Sequence, residues 1–244
     1  MNIDRRETIP HPSRMPRHDD LCRLYLLLAR IEQQSGMRSL RTCDGRMGWP
    51  RRGVYFFFET GEARTDSGTG LRVVRVGTHA LKEGSQTSLW TRLSQHRGRT
   101  SGGGNHRGSI FRLLIGGALL ARDGQVSESW GRQNAAPRDI RDLETDHERA
   151  VSSVIGEMPF LHLDIDDEPG PLSLRGDIER NSIALLSNYR KEAIDPASGQ
   201  WLGQHSDRIR VRESGLWNSN HVDEAYDPAF LDRMESLVGA MVRS

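Results

Sequence analysis

Residues 53–58 read Gly53-Val54-Tyr55-Phe56-Phe57-Phe58, and residues 71–77 read Leu71-Arg72-Val73-Val74-Arg75-Val76-Gly77. Both runs are rich in aromatic and β-branched side chains, which predicts two buried strands. The turn-rich stretch 59–70 (ETGEARTDSGTG) joins them as a hairpin with a long loop. A third strand is expected at Phe160–Ile165, where FLHLDI alternates apolar and polar residues. The fold class that follows is α+β: a small three-stranded antiparallel sheet flanked by helices.

Outward from the hairpin, the period changes to three and four residues. Leu21, Leu24, Leu27, Leu28 and Ile31 predict an N-terminal helix, with Asp19 or Asp20 as its cap and Gly36 as its stop. Leu89, Trp90, Leu93 and His96 share one face of a second helix, for which Ser85 or Thr87 is the candidate cap. The stretch 98–108 (GRTSGGGNHRG) reads as an exposed, basic, glycine-rich loop. Further helices are expected over Ser109–Leu120, interrupted at Gly116-Gly117, over Asp139–Gly156, and from Asp177 to about Asn188. A short strand at Ile209–Arg212 and a terminal helix from Pro228 complete the reading. The organisation is a poorly ordered arm (1–17), an N-terminal helix and loop (18–49), a core (50–190) and a C-terminal extension (191–244).

Composition excludes several classes. The longest apolar runs, Leu24–Ala29 and Leu113–Ala121, fall well short of the roughly 18 residues of a membrane span. The polar N-terminus lacks the apolar stretch of a secretory signal, and Cys22 and Cys43 are too few for a disulfide framework or a cysteine-based zinc site. A soluble, cytoplasmic protein is expected. The net charge is only +1, but residues 1–112 carry +10 and residues 113–244 carry −9. Such asymmetry either offers a basic pole to a polyanion or lets the two halves attract each other.

Several residues with chemical potential fall in a definite order. Gly-Val-Tyr opens the first strand and Arg-Val-Gly closes the second. Arg92 and His96, four residues apart, project from one helical face, and Glu179 lies near the start of the helix after the third strand. This order resembles the GIY-YIG nuclease superfamily. Gly53-Val54-Tyr55 matches the first motif, and Arg75-Val76-Gly77 occupies the place of the second. The likeness continues through RLSQH and IERNSIALLSN and covers residues 50–190. The 59–70 loop, the helical insert and the C-terminal region resemble elaborations of restriction-like members.

The resemblance implies a divalent-cation-dependent DNA endonuclease with a single-metal site. Glu179 would ligate Mg²⁺ or Mn²⁺, since a carboxylate oxygen suits a hard ion that keeps waters and adds phosphate oxygens. Arg92 would bind the phosphate through its planar fork, and His96 would orient or deprotonate a water. Tyr55 would present its hydroxyl as proton acceptor or water-positioning group. Arg75 stands where the second motif has tyrosine; it would either bind a phosphate oxygen or mark an inactive copy. Asn188 is the candidate for the family's asparagine, with Asn218 of WNSN as the second. Arg97, Arg99, His106 and Arg107 of the glycine-rich stretch would clamp the backbone of double-stranded DNA. Cutting both strands needs two sites, which a homodimer supplies.

From the residues alone other readings stay open. Glu179 is equally a first-turn carboxylate favoured by the helix dipole, His96 a packing residue, Tyr55 a buried structural tyrosine and Arg92 one surface arginine among many. The alternatives for the whole chain are an inactive nucleic-acid-binding protein of the same fold, or a structure-specific repair or RNA nuclease.

Overall fold

The computed structural model describes residues 16–132 and 135–241. Helix α1 (Pro16–Ser35) leads into a two-residue strand β1 (Arg38–Ser39), and then β2 (Gly53–Ala63) and β3 (Leu71–Gly77) form the hairpin. Next come α2 (Leu89–Arg97), α3 (Ile110–Arg122), α4 (Arg138–Leu143) and α5 (Thr145–Glu157). Strand β4 (Pro159–Asp164), α6 (Leu174–Leu186), α7 (Ile209–Ser214) and α8 (Phe230–Met241) complete the chain. No described helix is long and apolar enough to cross a membrane.

The sheet among the described residues has four strands in the order β1-β4-β2-β3, all antiparallel, rather than the expected three. The addition is β1, whose two residues pair with Pro159 and Phe160. Two residues leave no alternation to read. Strand β2 lies between β4 and β3, and both of its faces are covered. Val54, Phe56 and Phe58 pack with α1, α6 and α8, while Tyr55 and Phe57 pack with α2, α3 and α5. Burial on two sides is why this strand reads as a continuous apolar run. The outer edge of β3 is closed by the chain after α7: Trp217 N–H donates to Val74 O at 2.7 Å, and the Asn218 amide exchanges hydrogen bonds with both backbone groups of Val76. That cover removes an exposed edge.

Other expectations are corrected by packing. The expected strand at Ile209–Arg212 is the helix α7, stopped by Gly215 in the left-handed region (φ 74). Helix α3 runs unbroken through Gly116-Gly117; Gly116 is required because a Cβ there would meet the Trp130 ring at 2.0 Å. The single helix expected over Asp139–Gly156 is two, α4 and α5, divided at Glu144, whose carboxylate turns to the Arg107 guanidinium. Ser88 rather than Ser85 or Thr87 caps α2, accepting from Thr91 N–H. Asp19 and Asp20 lie within α1, and the sixth helix begins at Leu174, capped by Ser173. Of the expected arm, residues 1–15 lie outside the described residues, while Pro16 and Arg17 begin α1.

One buried ion pair joins the helices on the Tyr55 side of the sheet. Arg112 of α3 donates through Nε and Nη2 to Glu148 Oε2 of α5, through Nη2 to Glu148 O, and through Nη1 to His96 O at the end of α2. The same carboxylate accepts from His106 N–H through Oε1. Breaking such a pair leaves an uncompensated buried charge, which typically costs about 3–5 kcal/mol. Arg112→Met is therefore expected to lower unfolding stability by roughly that amount. Urea denaturation of the variant against the parent checks it.

Candidate active site

A cavity of about 260 Å³ opens beside the far end of the hairpin, lined among others by Tyr55, Arg75, Thr78, Arg92, Glu179 and Asn218. The two motif glycines shape its approach. Tyr55 lies opposite Gly77 in the β2–β3 register, and a Cβ on Gly77 would sit 2.4 Å from the Tyr55 hydroxyl. On the other side, a Cβ on Gly53 would sit 2.6 Å from Leu163 O, so its absence lets β2 and β4 close. These glycines serve close approach, since neither has a positive φ.

The Tyr55 hydroxyl is 2.8 Å from His96 Nε2, and His96 Nδ1 is 2.7 Å from Ser109 Oγ. Ser109 is the N-cap of α3 and accepts from Arg112 N–H. Two tautomers satisfy this chain. In one, Ser109 donates to Nδ1 and Nε2–H donates to Tyr55, whose own proton is free to face the cavity. In the other, Nδ1–H donates to Ser109 and Nε2 accepts the tyrosine proton. The imidazole is held neutral at neutral pH: burial above all, then the Arg92, Arg75 and Arg112 charges, push its pKa well below 6.5.

Glu179 belongs to α6 on the opposite face of the sheet, and it reaches this cavity at the end of β3. There Thr78 N–H donates to its Oε1 at 3.0 Å, while Oε2 has no hydrogen-bond partner among the described residues. Burial pushes its carboxyl up from the ordinary value, opposed by the Arg75 charge and the Thr78 bond. Arg75 is itself buried. Its guanidinium donates to Trp217 O and lies 4.6 Å from the Phe111 ring centre, but its Nε has no hydrogen-bond partner, and it makes no ion pair among the described residues. Burial lowers its pKa, with Tyr55 and Glu179 opposing. Arg92 donates to Gln95 Oε1 and to Gly108 O, 3.1 and 3.2 Å away.

The structure thus brings Tyr55, Arg75, Arg92 and Glu179 to one cavity, with His96 directly behind Tyr55. It does not bring Asn188 there. That side chain is bonded to the backbone of Ile194 and accepts from Arg17, so its role is to fasten the chain after α6 against α1. Asn218 does line the cavity, although its amide is spent on Val76. Sequence reasoning missed His221, which lines the same cavity; its Nδ1 is 2.8 Å from Glu224 Oε1, and its backbone takes a left-handed φ of 64. The polar run Asn218-Ser219-Asn220-His221 was the available signal.

In the glycine-rich stretch, two expected clamp residues are corrected. His106 is buried, with Nδ1 3.0 Å from Glu148 Oε1 and its ring stacked on Trp130. Arg107 is locked in a two-bond pair with Glu144. Each has a distant carboxylate partner, so neither faces a ligand. Arg97 donates to Cys43 O at 2.6 Å, and Arg99 is exposed.

For a metal, the donor set is one carboxylate. No cluster of three or more His, Cys, Asp or Glu side chains occurs among the described residues. A buried carboxylate with one unused oxygen in a polar cavity fits a hard cation that keeps most of its waters. Such a cation would be held at Glu179 Oε2.

A tyrosine on a hairpin strand, two arginines and one carboxylate thus meet around a single cavity. A family model described as the GIY-YIG domain matches residues 15–244, and the chain belongs to that family. Membership carries nuclease-type chemistry on a nucleic-acid substrate, and the match takes in both α1 and α8. Comparison with curated proteins and with solved structures gave no match.

Two outcomes follow from this geometry. Gly77→Ala forces the Tyr55 ring aside and is expected to cost about 1–3 kcal/mol as overpacking. Gly239→Ala, in α8 with nothing within 4 Å of the added carbon, should stabilise by roughly 0.5–1 kcal/mol; denaturant midpoints of the pair check both. The second outcome concerns acid. His79 has its pKa lowered to about 4, chiefly by burial, and His96 is lowered for the same leading reason. The unfolded chain takes up these protons near 6.5, where the folded chain does not, so stability is full above that pH and falls as pH drops towards 4. Melting temperature should therefore decline between pH 7 and 5, and less steeply in His79→Asn, which keeps a donor near Thr87 O.

Proposed function

We propose that the protein is a divalent-cation-dependent DNA endonuclease that hydrolyses phosphodiester bonds at the Tyr55–Glu179 cavity. The observation that carries this reading is the meeting of Glu179 with Tyr55 and two arginines, although Glu179 arises on the opposite layer of helices. Among the described residues, a buried cation without an ion pair and a buried carboxylate with an unbonded oxygen suit a phosphate with its counter-cation. Mg²⁺ or Mn²⁺ bound at Glu179 would neutralise charge on the phosphate and acidify a water.

The residues divide the remaining tasks. Arg92 and Arg75 hold non-bridging phosphate oxygens and stabilise the charge that builds there. Tyr55 Oη accepts a hydrogen bond from the attacking water and orients it, while neutral His96, itself bonded to Ser109, holds the tyrosine hydroxyl in place. The proton that the water gives up passes to solvent in the cavity. Burial disfavours an added charge on His96, so the imidazole positions Tyr55 rather than storing a proton. Cutting both strands of a duplex calls for two such sites, which a homodimer would provide.

The rival reading is an inactive nucleic-acid-binding copy, favoured by Arg75 at the position of the second tyrosine. One experiment separates the two. Wild type is expected to nick and linearise plasmid with Mg²⁺ and not with EDTA. Glu179→Gln should lower the rate by at least about 10²–10³-fold. Since burial already disfavours the carboxylate charge, folding should change by no more than about 1 kcal/mol. Equal cutting by the glutamine variant removes Glu179 from the mechanism. Binding without cutting by the wild type establishes the inactive reading.

A further inference from the structure

A second, larger groove of about 840 Å³ runs between the glycine-rich loop and α4, walled by Arg97 and Arg99 on one side and Arg138 and Arg141 on the other. It adjoins the active-site cavity through one contact. Gly108 lines the groove, its carbonyl accepts from Arg92 Nη1, and Arg92 lines the cavity.

The carboxylates near this groove are already occupied. Glu148 is spent on Arg112 and His106, and Asp142 lies 3.6 Å from Arg138. Arg97 is tied to a backbone carbonyl and lies over the Trp90 ring. Arg99 and Arg141 are exposed, and neither side chain has a hydrogen bond or ion pair among the described residues. Two free guanidinium groups therefore line the same groove.

The floor is pre-shaped. Arg99 N–H donates to Gly103 O, Ser152 Oγ donates to the same carbonyl, and a Cβ on Gly98 would meet it at 2.2 Å. A Cβ on Gly104 would strike the buried Arg112 guanidinium at 2.3 Å. The glycines thus let the loop close onto the Arg112–Glu148 pair and leave bare backbone facing the groove. A groove lined by arginines and bare backbone, linked to the active-site cavity by the Arg92–Gly108 hydrogen bond, has the chemistry of a phosphodiester track.

We propose that a nucleic-acid backbone leaving the scissile phosphate runs through this groove, with Arg99 and Arg141 each holding one phosphate. The proposal rests on the nuclease reading above and adds to it where the flanking strand lies. It also excludes Arg107, which the sequence groups with Arg99 but which the fold spends on Glu144.

The test is binding of a labelled 30-bp duplex in EDTA, between 50 and 200 mM salt, by wild type and by Arg99→Gln/Arg141→Gln. Each lost phosphate contact removes about 0.9 from the slope of log affinity against log salt. The double variant is expected to lose about 1.8 in slope, bind more weakly and keep the parent's melting temperature. Arg107→Gln should do the reverse, lowering melting temperature and leaving the slope unchanged. An unchanged slope in the double variant, with wild type still binding and cutting plasmid, overturns the groove and leaves the nuclease reading standing. Wild type that neither binds duplex nor cuts plasmid overturns both.

Discussion

The Arg112–Glu148 ion pair holds together what the candidate site needs. One guanidinium, buried between α3 and α5, also fixes the last carbonyl of the His96 turn and the turn of glycines that follows. His96 is thereby placed to bridge Ser109 and Tyr55, and the glycine loop is pressed flat beside it. Buried charges persist only when both partners and their remaining donors are satisfied. Here they are, through carbonyls and the His106 N–H. The interaction is thus expensive to break and specific in direction.

It also accounts for much of the charge asymmetry along the chain. Arg107 and Arg112 of the basic half pair with Glu144 and Glu148 of the acidic half. Arg23 and Arg30 of α1 meet Asp232 and Glu235 of α8, and Arg41 meets Glu157. Mutual attraction between the halves therefore absorbs many of the arginines. What remains for a polyanion is a smaller set, and part of it, Arg141, comes from the acidic half. A sum over sequence halves could not have found it.

Legibility followed the range of the interactions. Strands β2, β3 and β4 and helix α2 were readable because their burial is written in adjacent residues, as alternation or as a helical stripe. The division at Glu144 and the burial of His106 and Arg107 were not, because each depends on a partner some 40 positions away. Asn188 and Asn218 were indistinguishable as letters. The fold separates them, since one faces α1 and Ile194 while the other closes the β3 edge beside Tyr55. Strand β1 and helix α7 failed for a simpler reason: elements of two and six residues carry too little periodicity to read.

On the resemblance that sets Arg75 where the second motif has tyrosine, the exchange alters the electrostatics of the cavity. A tyrosine there would be neutral, whereas a guanidinium brings a full charge into a site where burial already lowers its pKa. After Tyr55, Glu179 is what offsets that charge, and its own carboxyl is pushed up by burial and pulled down by Arg75. The two groups balance at a distance without forming an ion pair, so neither is neutralised by contact. A phosphate arriving at Arg75 would leave Glu179 with surplus negative charge, and a cation arriving at Glu179 would leave Arg75 with surplus positive charge. Each ligand therefore lowers the cost of binding the other, and linkage makes that coupling equal in both directions. On the proposed function, replacing the tyrosine by arginine ties cation and substrate together more tightly than a neutral hydroxyl would.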